Sequence, residues 1–416
     1  MDIEENGDST FPSWINFEFL TKVLSEVFKK DVSVTNFEIE RAVPKGENYL
    51  SILYRVMVEY KGSPTRNHAE KYFIIIKTLP ESELMKKILT EMDGFQKELY
   101  MYTNILPELH RIIKSAKEKN QQISARCLPC PIENVIVLED LKHVGFQMAM
   151  RKEGLDLEHC KLAVRNLARF HAASMALYKI DPSFADKYKE GLFKEYEDEK
   201  EKKKSQKDME DMLYNLAATV EKWEGYEKYA QKLKESTPTM FERMTEIVKP
   251  KNNYINVLNH GDCWTNNMLF YYCPKTGKVE DIRFVDFQIS RYSSPALDLQ
   301  YLLCNCPNDE VRFQHKDTLL EEYYFELADY CKAMNLESDL ISFEQLKDEF
   351  EEKNYFGLMT ACLALPIVLA EKDDMPDLKE LTEDDGGSFN IDSYSGKRFK
   401  EIFKKLLPYY ERKGVL

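Results

Sequence analysis

The stretch HGDCWTNNMLF, His260 to Phe270, sets Asp262 and Asn267 five residues apart between the apolar pairs Val257-Leu258 and Met268-Leu269. Asp/Asn clusters most often cap tight turns. The other reading is an Asp that orients a hydroxyl and an Asn that holds a metal. A third polar residue, Asp286, follows in IRFVDFQ after a second apolar run. Phosphoryl transfer from ATP needs a cation on the phosphates, an anchor for it, a carboxylate at the acceptor hydroxyl and two metal ligands. Asp262 has the place of that carboxylate, and Asn267 and Asp286 those of the ligands. Two oxygen ligands completed by substrate oxygens and water suit Mg²⁺.

Lys77 ends the apolar run YFIIIK, and Glu98 lies in GFQKELYMY with Phe95, Leu99 and Tyr102 marking an apolar helical face around it. Taken alone, one is a strand-end lysine reaching solvent and the other a surface glutamate. Taken together they are the ion pair that aims a lysine at phosphates. The phosphate-covering segment is weaker. No GxGxxG and no Walker A motif is present, and PKGENYLSILYRV offers one glycine, Gly46, with Asn48 and Ser51. A hairpin needs a turn residue there in any case.

These residues need elements to hold them. Phe17 to Lys29 has helical periodicity. Val32 to Tyr60 reads as strands broken at Pro44-Lys45-Gly46, and KYFIIIKTL as their hairpin partner. Ser82 to Leu106 returns to helical spacing, and ENVIVLEDL is a short buried strand ending at Glu139-Asp140. HCKLAVRNLARFHAASMAL is an amphipathic helix, and the mixed charge run KEYEDEKEKKKSQKDMEDM a solvated helical insertion. Strand signals resume at YINVLN and DIRFVDFQI, separated by a turn at Pro274 to Gly277, and Leu297 to Leu407 is mainly helical. The expectation is an α+β chain. Residues 1–140 would form an antiparallel-sheet lobe that binds nucleotide, and residues 141–416 a mainly helical lobe with the catalytic loop, metal site and acceptor pocket.

At 416 residues there is ample length for two lobes, and 43% hydrophobic with 31% charged residues is ordinary globular composition. A net charge of -14 argues against nucleic acid or an anionic membrane surface as partner. The acidic start MDIEENGDSTF lacks the basic and apolar regions of a secretory signal. The most apolar run, Phe356 to Ala370, is interrupted by Pro366 and is shorter than the roughly 20 residues a span needs, so it reads as a buried helix. Nine cysteines include a CxxC at Cys127 and Cys130 and a CxC at Cys304 and Cys306. Without matched knuckles they read as structural thiols of a reduced, cytoplasmic protein.

HGDCWTNNMLF together with VDFQISRYSSPALDLQYLL closely resembles the ecdysteroid kinase-like family of insects, a branch of the protein-kinase-like fold related to choline and aminoglycoside kinases. GENYLSILYRV is similar to its phosphate-loop hairpin, FQKELYMYTNILP to its Glu-bearing helix, VIVLEDL to its hinge and LARFHAASMAL to the helix opening its second lobe. The resemblance implies the bilobal fold. It implies Lys77 and Glu98 as the phosphate-anchoring pair, Asp262 as the catalytic carboxylate, and Asn267 and Asp286 as Mg²⁺ ligands. Gly46, Asn48 and Ser51 would meet phosphate, and the Glu139 and Leu141 backbone would bind adenine. His260 and Asp298 would support the catalytic loop.

Gln288 stands where protein kinases carry the glycine of Asp-Phe-Gly, and Ile289 to Ala296 is too short for a phospho-regulated activation loop, so a protein kinase is disfavoured. The implied cofactors are ATP and Mg²⁺. The implied acceptor is a hydroxyl of a small lipophilic molecule, an ecdysteroid or a xenobiotic alcohol met in detoxification. Tyr292, Tyr301, Tyr323, Tyr324 and Phe325 could line its pocket, although such aromatics are more often core. The alternative is a catalytically silent protein that binds a lipophilic ligand on the same fold.

Overall fold

The computed structural model describes residues 11–42, 51–62, 68–80, 86, 93–117, 121–191, 193–251, 254–369 and 394–416. Gly46 and Asn48 of the expected phosphate segment lie outside them. The chain divides into two compact units, residues 1–91 with 125–144, and residues 92–124 with 145–416.

In the first unit the helix Phe17–Phe28 is capped by Asn16, whose side chain accepts from the Phe19 N–H at 3.0 Å. It buries Phe19, Leu20, Val23 and Leu24 along one stripe. That stripe meets one face of a five-stranded sheet: β1 (Ser33–Arg41), β2 (Ile52–Lys61), β3 (Glu70–Thr78), β4 (Cys127–Leu128) and β5 (Val135–Glu139), in the order β1-β2-β3-β5-β4. Every neighbouring pair is antiparallel. Val56, Val58, Ile74 and Ile76 point to the helix. Because strand side chains alternate, Lys77 lies on the opposite face, paired across the sheet with Leu53 and Ile136. Lys77 is buried all the same.

The second unit is mainly helical. Its longest helix, Leu157–Ile180, is capped by Asp156 and buries Ala163, Leu167, Phe170, His171 and Ser174. It packs along the helix Lys316–Ala333, where Arg165 bonds Glu322 and Arg169 bonds Glu326. A three-stranded sheet is formed by β6 (Phe146–Met148), β8 (Met268–Tyr272) and β9 (Val279–Phe284), and a two-stranded one by β7 (Val257–Asn259) and β10 (Arg291–Ser293). The turn expected at Pro274 to Gly277 joins β8 to β9, with Gly277 in the left-handed region at φ 68°. The apolar run at Phe356 is the buried helix Asn354–Leu369, which carries Pro366 inside it. Its core partners include Leu216, Leu233, Phe403 and Leu407. The charge run falls in the helix Glu199–Glu221, whose buried residues begin only at Leu213.

The expected α+β class, an antiparallel sheet followed by a mainly helical region, is what the chain adopts. The helix expected over Ser82 to Leu106 is described from Gly94: Gly94–Tyr100, a π-helical stretch Met101–Ile105, then Leu106–Lys117.

Candidate active site

Asn267 and Asp286 meet because of a strand register. Asn267 immediately precedes β8 and Val285 immediately follows β9, and the hairpin pairs Met268 with Phe284. The Val285 N–H then donates to the Asn267 carbonyl at 3.0 Å, so Asp286 begins beside Asn267. Asp286 itself takes φ 67°, a conformation non-glycine residues seldom hold, and one that clusters at functional sites.

The loop before β8 holds the third residue. Trp264 N–H donates to the Asp262 carbonyl and Asn267 N–H to the Trp264 carbonyl, which winds residues 262–267 into a tight turn. Within it Asn267 Nδ2 donates to Asp262 Oδ2 at 2.9 Å and to the Asp262 carbonyl at 3.0 Å. With Nδ2 so engaged, Oδ1 is the atom Asn267 can offer a cation. Its carbonyl oxygen and the Asp286 carboxylate are hard donors of the kind Mg²⁺ takes, so the residues fit that ion. Among the described residues, no group of three or more His, Cys, Asp or Glu side chains is arranged to hold a metal unaided.

The second Asp262 oxygen, Oδ1, accepts from the Tyr301 hydroxyl at 2.7 Å. Burial pushes the Asp262 carboxyl up to about 7, with Asp286 adding to the rise while Tyr301 and Asn267 oppose it. A divalent cation at Asn267 and Asp286 would draw it down again.

Three further residues hold this loop in place. Asp298, in the first turn of the helix Ala296–Asn305, accepts from the His260 N–H at 2.7 Å and the Gly261 N–H at 2.9 Å. His171 approaches the same carboxylate through Nε2 at 3.2 Å, and Tyr323 bonds His171 Nδ1 at 2.8 Å. Ser174 accepts from the Leu258 N–H at 2.9 Å and so ties β7 to the long helix. Asp298 thus carries the loop-supporting contacts that its place in the sequence suggests.

His260 cannot act as a base here. Its Nδ1 accepts from the Asp262 N–H at 3.2 Å, and Nε2 lies 3.0 Å from the Val285 carbonyl, which can only accept. Both nitrogens are engaged by a neutral ring, and burial lowers its basicity further. Gly261 sits at φ 86°, where a Cβ would come within 2.3 Å of the Ile289 carbonyl, so the loop closes only on glycine. Phe287 packs on His260, Phe170 and Tyr102, filling the space under Asp286. The Gln288 carboxamide is buried, and neither its oxygen nor its nitrogen has a hydrogen-bond partner among the described residues.

The other expected site residues are distributed between the units. Glu98, fully buried on the helix Gly94–Tyr100, belongs to the second unit, as do Asp262, Asn267 and Asp286. Lys77, Ser51, Glu139 and Leu141 belong to the first. Lys77 and Ser51 are both buried there. The Glu139 N–H donates to the Arg126 carbonyl at 3.0 Å, and its side chain accepts from the Arg126 N–H at 2.9 Å. The Asp140 carboxylate accepts from Arg55 at 2.8 Å, which fixes the end of β5 against β2. Cys127 and Cys130 donate to nearby carbonyls, and all nine cysteines are free.

Sequence reasoning missed Tyr301 as a partner of Asp262, and it missed His171 as a partner of Asp298. Tyr301 stood among five aromatics proposed for a pocket. Of these, Tyr323 is bonded to His171, Tyr324 to the Ile341 carbonyl, Tyr292 is stacked on Tyr178, and Phe325 is exposed.

A paired aspartate and asparagine with a second aspartate one hairpin away could orient a hydroxyl and hold a cation. The chain belongs to the ecdysteroid kinase-like family, whose model matches residues 45–336. No curated protein sequence matches it. Among solved structures it is similar to the ethanolamine kinase of Plasmodium vivax, at 14% identity and a TM-score of 0.40 over 91% of this chain and 84% of that one. Choline kinase LicA from Streptococcus pneumoniae is also 14% identical, with a TM-score of 0.41 over 94% and 99%. An aminoglycoside phosphotransferase from Alicyclobacillus acidocaldarius is 13% identical, with a TM-score of 0.39 over 94% and 96%.

Proposed function

We propose that the chain is an ATP- and Mg²⁺-dependent kinase that phosphorylates a hydroxyl of a small lipophilic molecule, an ecdysteroid or a xenobiotic alcohol. Family membership supports the kinase class. The observation that carries the reading further is the Asp262 carboxylate clamped between Asn267 and Tyr301, with Asp286 placed beside Asn267 by the hairpin.

In this reading Asp262 accepts the hydrogen bond of the acceptor hydroxyl and aims its oxygen, taking the proton as the new bond forms. Asn267, through Oδ1, and Asp286 hold Mg²⁺, which when bound neutralises charge on the nucleotide phosphates. Lys77 binds phosphate, with Glu98 assigned as its anionic partner, while Ser51 and the segment carrying Gly46 and Asn48 cover the phosphates. At Glu139 the N–H is engaged by Arg126, so its carbonyl is the group assigned to adenine, with the Leu141 N–H as the matching donor. The cytoplasm, where ATP and Mg²⁺ are abundant, is the compartment this chemistry suits.

The test is ATP consumption with Mg²⁺ against a panel of ecdysteroids and small phenolic or glycosidic alcohols, with products read by mass spectrometry. The expected outcome is a product heavier by one phosphoryl group, reduced about 10²–10⁴-fold by Asp262→Asn. Ligand binding with undiminished melting temperature but no ATP consumption would instead identify a silent binding protein.

A further inference from the structure

Gly261 of the Asp262 loop and Tyr301, which bonds Asp262, line a small cavity together with Phe356 and Thr360 of the helix Asn354–Leu369. That contact fixes which side of the helix meets the loop. Phe356, Thr360, Leu363 and Ile367 follow one another at spacings of four, three and four residues, so they share one stripe of the helix. Phe356 and Thr360 are buried, whereas Leu363 and Ile367 are half-buried. The stripe that begins against the loop therefore runs on into an apolar surface partly open to solvent.

Two further observations tie this surface to the reacting end of the site. Trp264, two residues after Asp262, is half-buried and packs on the same core cluster as Leu363, and Tyr301 does likewise. At the far end, Arg151 Nη1 donates to the Ile367 and Val368 carbonyls at 2.8 and 2.7 Å. It anchors there the segment carrying Met150, which is 68% exposed. A helix rises about 1.5 Å per residue, so the stripe from Thr360 to Ile367 is about 10 Å long. Its chemistry is uniform. Leu363 and Ile367 offer only carbon, and the Thr360 hydroxyl already donates to the Gly357 carbonyl at 3.0 Å. A hydroxyl or a charge laid on these side chains would give up water without gaining a partner. A hydrocarbon would gain with every carbon covered.

We infer that this stripe is the acceptor-binding platform: the reacting hydroxyl sits at Asp262, and a hydrocarbon body about 10 Å long lies along Leu363 and Ile367. The inference rests on the kinase reading above and narrows its substrate class to alcohols whose body carries no further polar group over that length. Leu363 and Ile367 are then specificity-determining residues.

The experiment is calorimetric titration of the full chain, without nucleotide, with hexanol, octanol and decanol, with the octane diol bearing a hydroxyl at each end, and with choline. The wild type is compared with Leu363→Ala and Ile367→Asp, and with Ile180→Asp, a change at an exposed residue off the stripe. The expected affinity rises about threefold for each methylene from hexanol to octanol, a little less than full burial supplies. The diol and choline bind about tenfold more weakly than octanol. Leu363→Ala and Ile367→Asp flatten the rise, and Ile180→Asp leaves it intact. Leu363→Ala, a truncation at a half-buried position, carries the test should Ile367→Asp fail to fold. An affinity indifferent to chain length, a diol or choline that binds as tightly as octanol, no binding of any alcohol, or a rise unchanged in Leu363→Ala would overturn the inference. Stripe-dependent binding by a chain that phosphorylates nothing would leave the platform standing and remove the kinase reading. Phosphorylation of an alcohol whose KM is the same in wild type and Leu363→Ala would do the reverse.

Discussion

At the residue scale, Asp262 is held by two donors of different kinds. Asn267 is also a proposed metal ligand, so replacing it changes several things at once. The Tyr301 hydroxyl donates to Oδ1, the carboxylate oxygen that Asn267 does not bond. Tyr301 is therefore a positioning residue. Tyr301→Phe should lower kcat about tenfold, the loss of one hydrogen bond to a charged group, with KM for ATP unchanged. A proportional rise in KM for ATP would mean that the loop itself had moved.

Asp298→Asn tests the support beneath. The Asp298 oxygens accept two backbone N–H groups, and an amide nitrogen in place of one oxygen would face an N–H. One buried donor is then unmatched, at about 1–3 kcal/mol. The melting temperature and kcat should fall together. The Asp298→Glu variant, which keeps both acceptors on a longer stem, should recover less than a tenth of the lost activity.

At the scale of elements, the site is a consequence of one register and one turn. The pairing of Met268 with Phe284 aligns the residue before β8 with the residue after β9. A one-residue slip would send Asn267 to the other face of its strand. Much of this was legible in the sequence, because polar residues interrupt two apolar runs with a turn between them, and that pattern carries the hairpin. The helices were legible for the same reason, their periodic burial being written along ten or more residues.

The short strands were not. β4, β6 and β10 have two or three residues, too few to show alternation, so nothing in CL, FQM or RYS announces a strand. Arg291 shared that fate: its burial follows from the pairing of β10 with β7, a contact between segments separated by more than thirty residues. Gly261 was legible only as part of a motif, and its geometry gives the motif a reason. Gly261→Ala should cost about 1–3 kcal/mol of stability, from the positive φ and the approach to the Ile289 carbonyl. Circular dichroism melting would read it. An unchanged melting temperature would show that the loop can close without glycine.

At the scale of the whole molecule, Lys77 belongs to one compact unit and Asp262, Asn267 and Asp286 to the other. A ligand that binds the folded chain stabilises it by mass action, by about 2.7 kcal/mol at a hundredfold excess over its dissociation constant. Nucleotide with Mg²⁺ should therefore raise the melting temperature of the full chain in a concentration-dependent way. EDTA should remove most of the rise, because Asn267 and Asp286 have no other means of holding phosphate, both being without positive charge.

Asp286→Ala should behave as the wild type does in EDTA, while Lys77→Met should weaken the response with the metal present. The two variants separate the metal site from the lysine site without any acceptor, so the result is independent of which alcohol the enzyme takes. A melting temperature indifferent to nucleotide with and without Mg²⁺ would remove the ATP-dependent reading.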